Sequence, residues 1–354
     1  MKLRQELLGN ARRVVIKLGT GLLTDDQNRL SKARIEQAAA QVAALCRQKR
    51  QLIVVSSGAI AAGMAALGLK QRPKHLHELQ ACAAIGQSKL MALYDESFSQ
   101  RGIAVAQILL THDDLKNRDR HLNARNTLTT LLERGVVPII NENDTVAVDE
   151  IKFGDNDRLG ALTATLIDAD LLVILSHIEG LLDHDGHVVP AVTEVNREIE
   201  ALAGDTDRST SVGGMRSKLD AAKIVTRAGI PMIIASGGSA TVLADVLAGA
   251  EVGTIFLPKT PDKLASRKRW IAFFQKPAGA LVVDDGAKTA LCDGAKSLLA
   301  KGVLATVGKF DRGDVVGIRD KNEVEFARGL AKVSSTELAA ATGVVVHRDD
   351  LVIL

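Results

Sequence analysis

The chain has 354 residues, a formal net charge of +3, 46% hydrophobic residues and only 3% aromatic residues. That length is enough for two domains, while so few aromatics exclude a stacking surface for single-stranded nucleic acid and so small a charge gives no indication of a nucleic-acid partner. The N-terminus lacks a signal-peptide pattern and no segment has about 18 consecutive apolar residues, so we expect a cytoplasmic protein without a membrane span.

Short apolar segments alternate with helical patterns through the first 257 residues. The predicted strands are 12–18, 51–55, 103–110, 136–140, 171–175, 230–235 and 253–257. The predicted helices are 31–48, with Ser31 as N-cap, 59–69, 76–98, 120–133, 158–167, 213–227 and 241–247. This alternation is typical of βαβ units, so we expect an α/β fold with a mostly parallel central sheet.

The composition changes after Leu257. Prolines at 258, 261 and 277 punctuate a basic stretch that contains the single tryptophan, Trp270, and this predicts a linker over 259–277. From residue 278 short apolar runs are separated by glycine turns, which predicts a small β-rich domain over 278–354. The α/β domain would then cover 1–258.

The stretch VVPIINENDTVAVDEIKFGDND, residues 136–157, combines an apolar strand with a run of acids and amides. Ligands of open α/β sheets bind beyond the carboxyl ends of strands. Carboxylates and amides there could hold a small zwitterion or Mg²⁺. The alternative is a solvated turn, because Asn, Asp and Gly are turn formers.

Two strand ends carry glycine corners, although the chain has neither a P-loop nor a dinucleotide fingerprint. Lys17 precedes Gly19 at the end of the first strand, where its ammonium could neutralise phosphate oxygens. The alternative is a lysine that extends to solvent. Ser57 and Gly58 open a helix of small residues whose first N–H groups could receive an anion. The alternative is that Ser56 or Ser57 only caps that helix.

A third corner, SVGGMRSK over residues 211–218, opens a helix with Lys218 one turn inside. Paired glycines allow the backbone to approach a phosphate closely. Two lysines, three glycine corners and an acid and amide cluster together indicate phosphoryl transfer, which depends on positive charge around the moving group. A metal site over 176–187 is the weaker interpretation, because the spacing of its His and Asp residues matches no common ligand pattern and predicts a polar hairpin.

These residues stand in runs that resemble the glutamate 5-kinase family of the amino acid kinase superfamily. The matching runs cover residues 12–257 in order: VVIKLGTGLL, VVSSGAIAAGMAALG, LLTHDDLKNRDRHLNARNTL, VVPIINENDTVAVDEIKFGDND, GGMRSKLDAAKIVTRAGI and VGTIFLP. The tail resembles a PUA domain in RKRW, VDDGAKTAL, KGV, FDRGDVV and HRDDLVIL.

The resemblance implies an α/β/α sandwich that phosphorylates the side-chain carboxylate of L-glutamate with ATP and Mg²⁺, giving γ-glutamyl phosphate for proline synthesis. It also implies inhibition by proline and a homodimer or homotetramer. Lys17, Lys218 and Asp157 match the catalytic positions. The matches to the glutamate-binding positions are Ser57, Asn141, Asp144 and Asn156. The matches to the nucleotide site, besides Lys17, are Ser176, His177, Val212, Gly213, Gly214, Met215, Arg216, Ser217 and Lys218. No position matches a protein metal ligand.

Three features depart from the family pattern. Ser176-His177 stands where Thr-Asp is usual, and Val212 stands where Thr usually opens the glycine corner. These changes leave an altered nucleotide or acceptor preference as an open alternative. The tail is shorter than usual, because Thr342-Gly343 runs almost directly into the last apolar segment, and this predicts an incomplete PUA fold. RNA binding by the tail is a further alternative, disfavoured by its weak basic charge and few aromatics.

Overall fold

The computed structural model describes residues 2–25, 27, 29–147, 156–203, 214–258, 266–294 and 296–354, with only the backbone of residues 2, 3 and 266. The chain divides into two compact units, Met1–Lys263 and Leu264–Leu354. None of the helices in these ranges is long and apolar enough to cross a bilayer.

The first unit contains a sheet of short strands, of which those inside the sheet are almost wholly buried while the two edge strands are not. The strands are β1 (Arg13–Leu18), β2 (Gln51–Ser56), β3 (Val105–Leu110), β4 (Val137–Glu142), β5 (Leu171–Ser176), β6 (Ala191–Val192), β7 (Met232–Ser236) and β8 (Thr254–Phe256). Their order in the sheet is β3-β4-β2-β1-β5-β7-β8-β6. The neighbours from β3 to β7 are parallel, while β8 is antiparallel to β7. The predicted α/β fold with a mostly parallel sheet is confirmed.

Seven of the helices described in this unit correspond to the predicted ones. The described helices are α1 (Lys2–Gly9), α2 (Thr20–Leu23), α3 (Lys32–Arg47), α4 (Ala59–Ala66), α5 (Leu76–Ser99), α6 (His112–Lys116), α7 (Arg118–Glu133), α8 (Asn156–Leu166), α9 (Arg197–Ala201), α10 (Met215–Arg227) and α11 (Val242–Leu247). The short helices α1, α2, α6 and α9 were not predicted. The N-cap of α3 is Ser31, whose side chain accepts a hydrogen bond from the Arg34 N–H, as predicted.

The strand order creates a crevice between β1 and β5. The chain continues from β1 to β2 on one side, and from β5 to β7 on the other. Connections that leave two neighbouring strands in opposite directions open a crevice at their carboxyl ends, where ligands bind in α/β proteins. Lys17 lies near the carboxyl end of β1, and Ser176 ends β5.

Helices α4 and α5 approach each other closely because each has a glycine at the contact. A Cβ on Gly86 would lie 1.7 Å from the Ala59 carbonyl oxygen, and one on Gly63 would lie 1.8 Å from the Cys82 carbonyl oxygen. Both obstacles are backbone atoms, so no side-chain rotation could relieve the overlap. Since α4 begins directly after Ser57 and Gly58, this contact determines where α5 lies relative to the end of β2.

We expect Gly86→Ala to destabilise the first unit by about 2 kcal/mol or more, because the added methyl group forces α4 and α5 apart. Thermal and urea unfolding measure the loss. Gly21→Ala is the control, since a Cβ there would meet nothing within 4 Å. Equal stability of the two variants would contradict the close contact.

The second unit has a six-stranded sheet over its own core. Its strands are β9 (Gly279–Val283), β10 (Leu298–Leu299), β11 (Val303–Val307), β12 (Val315–Arg319), β13 (Glu325–Ala331) and β14 (Val344–Ile353), in the order β10-β14-β13-β12-β9-β11. Helix α13 (Asp285–Cys292) follows β9, and the buried residues include Leu281, Val316 and Val345. The predicted β-rich domain is confirmed. The short connection before β14 does not interrupt this sheet.

The segment predicted as a linker differs from that prediction where the structure describes it. Helix α12 (Ser266–Arg269) continues into a π-helical turn, Trp270–Phe274. Trp270 and Ile271 are buried, and Arg328 of β13 donates hydrogen bonds to the carbonyl oxygens of Ala272 (2.7 Å) and Gln275 (3.1 Å). Prolines and basic residues suggested an exposed connection, but the apolar side chains between them pack within the second unit.

Candidate active site

Backbone hydrogen bonds at the carboxyl end of β5 join it to the residues that follow both neighbouring strands, β1 and β7. The Gly19 N–H donates to the Leu175 carbonyl oxygen at 3.1 Å, and the Gly237 N–H donates to the Ser176 carbonyl oxygen at 2.9 Å. Ser176 is buried, whereas the next residue, His177, is exposed. The chain turns away from the sheet here, so His177 stands at the solvent side of the crevice.

Two lysines converge on one buried carboxylate. Lys17 Nζ lies 2.7 Å from Asp157 Oδ1, and Lys218 Nζ lies 3.0 Å from Asp157 Oδ2. Lys17 is 7% exposed, Lys218 is 3% exposed and Asp157 is 1% exposed. Lys17 is therefore not a lysine that extends to solvent. Strand β1 and helices α8 and α10 each contribute one member of this group, which we call the lysine–aspartate triad.

Asp157, the acidic member of the triad, is ionised at neutral pH. Burial by itself raises the pKa of Asp157, but the charges of Lys17 and Lys218, with hydrogen bonds from Lys17 and Ser217, outweigh it and hold that pKa at about 2. Asp157 is therefore a carboxylate at pH 7. It carries one negative charge against two ammonium groups, so the triad has a net positive charge suited to an anion such as a phosphoryl group.

Helix α10 begins beside the triad. Its N-cap is Gly214, which makes no side-chain capping bond. The Ser217 hydroxyl lies 2.8 Å from Asp157 Oδ2 and 2.9 Å from the Gly214 carbonyl oxygen. Met215 is half-buried and Arg216 is exposed in this first turn. The free N–H groups at the start of a helix attract anions, so the helix and the triad favour the same kind of ligand.

Val212 and Gly213 lie outside the described residues, as do Ser211 and positions 148–155 of the acid-rich stretch. The described part of the glycine corner is therefore Gly214 to Lys218.

Three of the four predicted acceptor residues, Ser57, Asn141 and Asn156, are joined by hydrogen bonds of the Asn156 side chain. Asn156 Nδ2 donates to the Ser56 carbonyl oxygen (2.9 Å), Ser57 Oγ (2.8 Å) and Asn141 Oδ1 (3.1 Å). Ser57 is buried, and Asn141 is only 2% exposed. Since Asn156 and Asp157 are adjacent at the start of α8, this amide cluster stands directly beside the triad.

Neither serine caps helix α4. Its N-cap is Gly58, with a φ of 103° and no side-chain capping bond. Ser56 Oγ pairs with the buried Tyr94 hydroxyl at 2.9 Å instead. Because Ser57 Oγ accepts from Asn156, its own hydrogen can be donated to a carboxylate.

Asp144 follows β4 and does not share hydrogen bonds with the amide cluster or the triad in the described structure. Burial raises its pKa to about 6, although the positive charge of Arg72 acts in the opposite direction. A carboxyl group with such a pKa gains its charge near physiological pH and is typical of functional sites.

The histidine and aspartate residues of 183–187 form a surface turn. Asp183, Asp185 and His187 have potential ligand atoms within 4.8 Å of one another, the latter two being exposed. Asp183 Oδ1 accepts from the N–H groups of Asp185 (3.0 Å) and His187 (2.9 Å), and an antiparallel bridge joins Leu182 to Val188. These bonds account for the polar residues as the turn of a hairpin, as predicted.

Comparison with known proteins identifies the class to which this fold and site belong. The profile of the amino acid kinase family matches residues 12–236, and the PUA domain profile matches residues 279–349. Carbamate kinase from Giardia lamblia bound to AMP-PNP superimposes with a TM-score of 0.50 and 19% identity, covering 70% of this chain and 99% of that chain. At that identity the likeness concerns the fold alone. The chain belongs to the amino acid kinase family.

Relatives of higher identity narrow this assignment. Glutamate 5-kinase from Pelobacter propionicus is 46% identical over 374 aligned residues, covering 99% of this chain and 100% of the relative. Glutamate 5-kinase from Geobacter metallireducens is 47% identical with the same coverage, and that from Moorella thermoacetica is 45% identical over 98% of this chain and 97% of the relative. Within the amino acid kinases, the chain belongs to the glutamate 5-kinase family.

Proposed function

We propose that this protein transfers the γ-phosphoryl group of ATP to the side-chain carboxylate of L-glutamate, forming γ-glutamyl phosphate in the first step of proline synthesis. The observation that carries the proposal is the lysine–aspartate triad beside the amide cluster, in a chain of this family. Release of ADP that requires L-glutamate tests it directly.

The proposed reaction requires positioning and charge neutralisation. The glutamate side chain is already ionised at neutral pH, so no general base is needed. One of its oxygens attacks the γ-phosphorus in line, the bond from that phosphorus to the β–γ bridging oxygen breaks, and ADP leaves. In the proposal, Lys17 and Lys218 stabilise the charge that spreads over the phosphoryl oxygens in the transition state.

Asp157 is assigned a positioning role. Its two oxygens receive the two lysines and Ser217, so the carboxylate holds the ammonium groups at a fixed separation. Because each of its oxygens is paired with an ammonium group, a metal cation beside it would meet two positive charges. We therefore propose that Mg²⁺ enters as part of the ATP complex, coordinated by phosphate oxygens.

The nucleotide is assigned to the crevice between Ser176-His177 and the first turn of α10. His177 is exposed and could contact the base or ribose without disturbing buried structure. ATP is the proposed substrate despite His177 and Val212. A panel of ATP, GTP, CTP and UTP tests this, and faster turnover of another nucleotide would favour the alternative of changed preference.

The acceptor is assigned to Ser57, Asn141, Asp144 and Asn156. The Ser57 hydroxyl suits a carboxylate, while the Asp144 carboxylate suits an ammonium group. Proline presents the same two charged groups as the main chain of glutamate, so we propose that it competes at this site. Displacement of bound glutamate by proline tests that assignment.

We expect the affinity for L-glutamate to rise as the pH increases through about 6. Because the pKa of Asp144 is raised to about 6, the group is about one tenth ionised at pH 5 and about nine tenths ionised at pH 7. Only the ionised form attracts the ammonium group of glutamate, so Kd should fall roughly tenfold across this range. Calorimetric titration without nucleotide measures Kd free of the titration of ATP.

Asp144→Asn is the matched variant for this experiment, since it keeps the shape and removes the titration. It should bind L-glutamate more weakly than wild type, with a Kd that changes little between pH 5 and 7. A wild-type Kd that stays constant over the same range would contradict the assignment of Asp144 to the ammonium group.

We further propose that the protein is a homodimer or homotetramer, which light scattering of the intact chain would test. RNA binding by the PUA domain is not part of the proposal, because the chain as a whole carries a net charge of only +3 and electrostatic attraction dominates such binding.

A further inference from the structure

Four side-chain amides form a chain from the edge of the first sheet to the acceptor site. Gln87 Nε2 donates to Gln107 Oε1 at 3.1 Å. Asn141 Nδ2 donates to Gln87 Oε1 at 2.9 Å. Asn156 Nδ2 donates to Asn141 Oδ1 at 3.1 Å. Gln107 is exposed on the edge strand β3, Gln87 is half-buried on α5, and Asn141 is buried at the end of β4. The chain thus runs from the surface into the site.

Each link determines which end of the next amide is the oxygen. Because Gln87 presents its oxygen to Asn141, the nitrogen of Asn141 faces α5 and its oxygen faces Asn156. That oxygen also accepts from the Glu142 N–H at 2.9 Å, which supports the same orientation. Asn156 must then present Nδ2 to Asn141, and its Oδ1 lies on the other side of the amide group.

Asn156 Oδ1 is a buried acceptor that no donor satisfies among the residues that the structure describes. Buried polar atoms are nearly always hydrogen-bonded in folded proteins, so an exception at a site is a place for a ligand donor. Nδ2 of the same amide already has three acceptors, so the amide cannot be reversed without placing its oxygen against them. The site therefore offers a fixed carbonyl oxygen to a donor.

Gln87 is held in place by the contact between α4 and α5. Its neighbour Gly86 lies against the Ala59 carbonyl oxygen with no room for a Cβ. Helix α5 therefore cannot slide along α4 without a backbone clash, and Gln87 stays opposite Asn141. The fold thus supports the amide chain with backbone packing as well as hydrogen bonds.

We propose that Gln87 is a positioning residue, which holds Asn141 and, through it, Asn156 so that Asn156 Oδ1 accepts a hydrogen bond from the α-ammonium group of the acceptor amino acid. This inference rests on the proposed function. It assigns to Gln87, beside the charge of Asp144, a part in the discrimination between an α-amino acid and a dicarboxylate of the same length that lacks the ammonium group.

The test compares L-glutamate with glutarate, which keeps both carboxylates and has no ammonium group. Calorimetric titration gives the Kd of each, with competition against glutamate for the weaker ligand. Gln87→Met removes the acceptor that Asn141 requires while nearly preserving volume. We expect it to weaken glutamate binding about tenfold and to leave glutarate binding unchanged.

Two further variants separate positioning from a general loss of structure. Gln87→Glu keeps an acceptor for Asn141 and should retain most of the preference for glutamate. Gln41→Met is the matched control, because Gln41 is a half-buried, hydrogen-bonded glutamine on helix α3. This variant should prefer glutamate over glutarate to the same extent as wild type.

If Gln87→Met keeps the wild-type preference for glutamate over glutarate, or binds both ligands equally more weakly, the proposed role of Gln87 is overturned. Wild type that binds no L-glutamate would overturn the proposed function as well. The first outcome appears only in the variant and the second already in wild type, so the two failures are distinguishable.

Discussion

Asp157→Asn is expected to lower kcat for the proposed reaction by about 10³-fold or more. The substitution removes the carboxylate that pairs with both Lys17 and Lys218, while both ammonium groups stay buried. The lysines then repel each other and lose the separation that suits the transferring phosphoryl group. Removing one electrostatic stabiliser of a transition state commonly costs 10²–10³-fold, and here two groups lose their position at once.

The same substitution should destabilise the protein, because breaking a buried ion pair costs about 3–5 kcal/mol. Activity must therefore be measured at a temperature where circular dichroism shows Asp157→Asn to be folded. Asp183→Asn makes the same chemical change in the surface turn and should match wild type in activity. A folded Asp157→Asn variant with wild-type kcat would contradict the role of the triad.

Lys218→Met is expected to lower kcat by about 10²–10⁴-fold with little change in the Kd for L-glutamate. The ammonium group is buried against Asp157, and in the proposal it acts on the phosphoryl group rather than on the acceptor. Its loss should therefore affect the transition state more than ground-state binding of glutamate. Asp157 keeps Lys17 and Ser217 as partners, so the variant should fold.

Lys223→Met is the matched control on the same helix. Lys223 is 29% exposed and pairs with Glu200 and Asp220 instead of the triad. It should keep kcat within about twofold, since exposed ion pairs contribute little. Equal losses in Lys218→Met and Lys223→Met would mean that the substitution acts through the helix and not through the site.

The sequence predicted most of the fold because its signals were local. Most strands are short apolar runs in the sequence, and the observed β1 and β5 lie within one residue of the predicted bounds. The antiparallel direction of β8 was not predicted, since strand direction depends on pairing with distant residues. The buried turn Trp270–Phe274 was not predicted for a related reason, because it packs on β13 and β14, which are distant in the sequence.

Only some residues of the candidate site could be predicted from the sequence. Lys17 and Lys218 were singled out by their glycine corners, but only the resemblance to a known family grouped Asp157 with them, because positions 17, 157 and 218 carry no mutual spacing signal. Gln87 was missed, as it sits in a helix with no glycine corner or acidic run nearby. Its role depends on the register of α5 against β4, which follows from Gly63 and Gly86. Only the three-dimensional structure brings these distant residues together.

The most direct test of the proposed function is to trap the product. The protein is incubated with ATP, Mg²⁺, L-glutamate and hydroxylamine, which converts an acyl phosphate to a hydroxamate that can be measured by colour. The account predicts hydroxamate that depends on both ATP and glutamate, and its loss in Lys218→Met and Asp157→Asn. No hydroxamate from folded wild-type protein, or equal amounts from all three proteins, would contradict it.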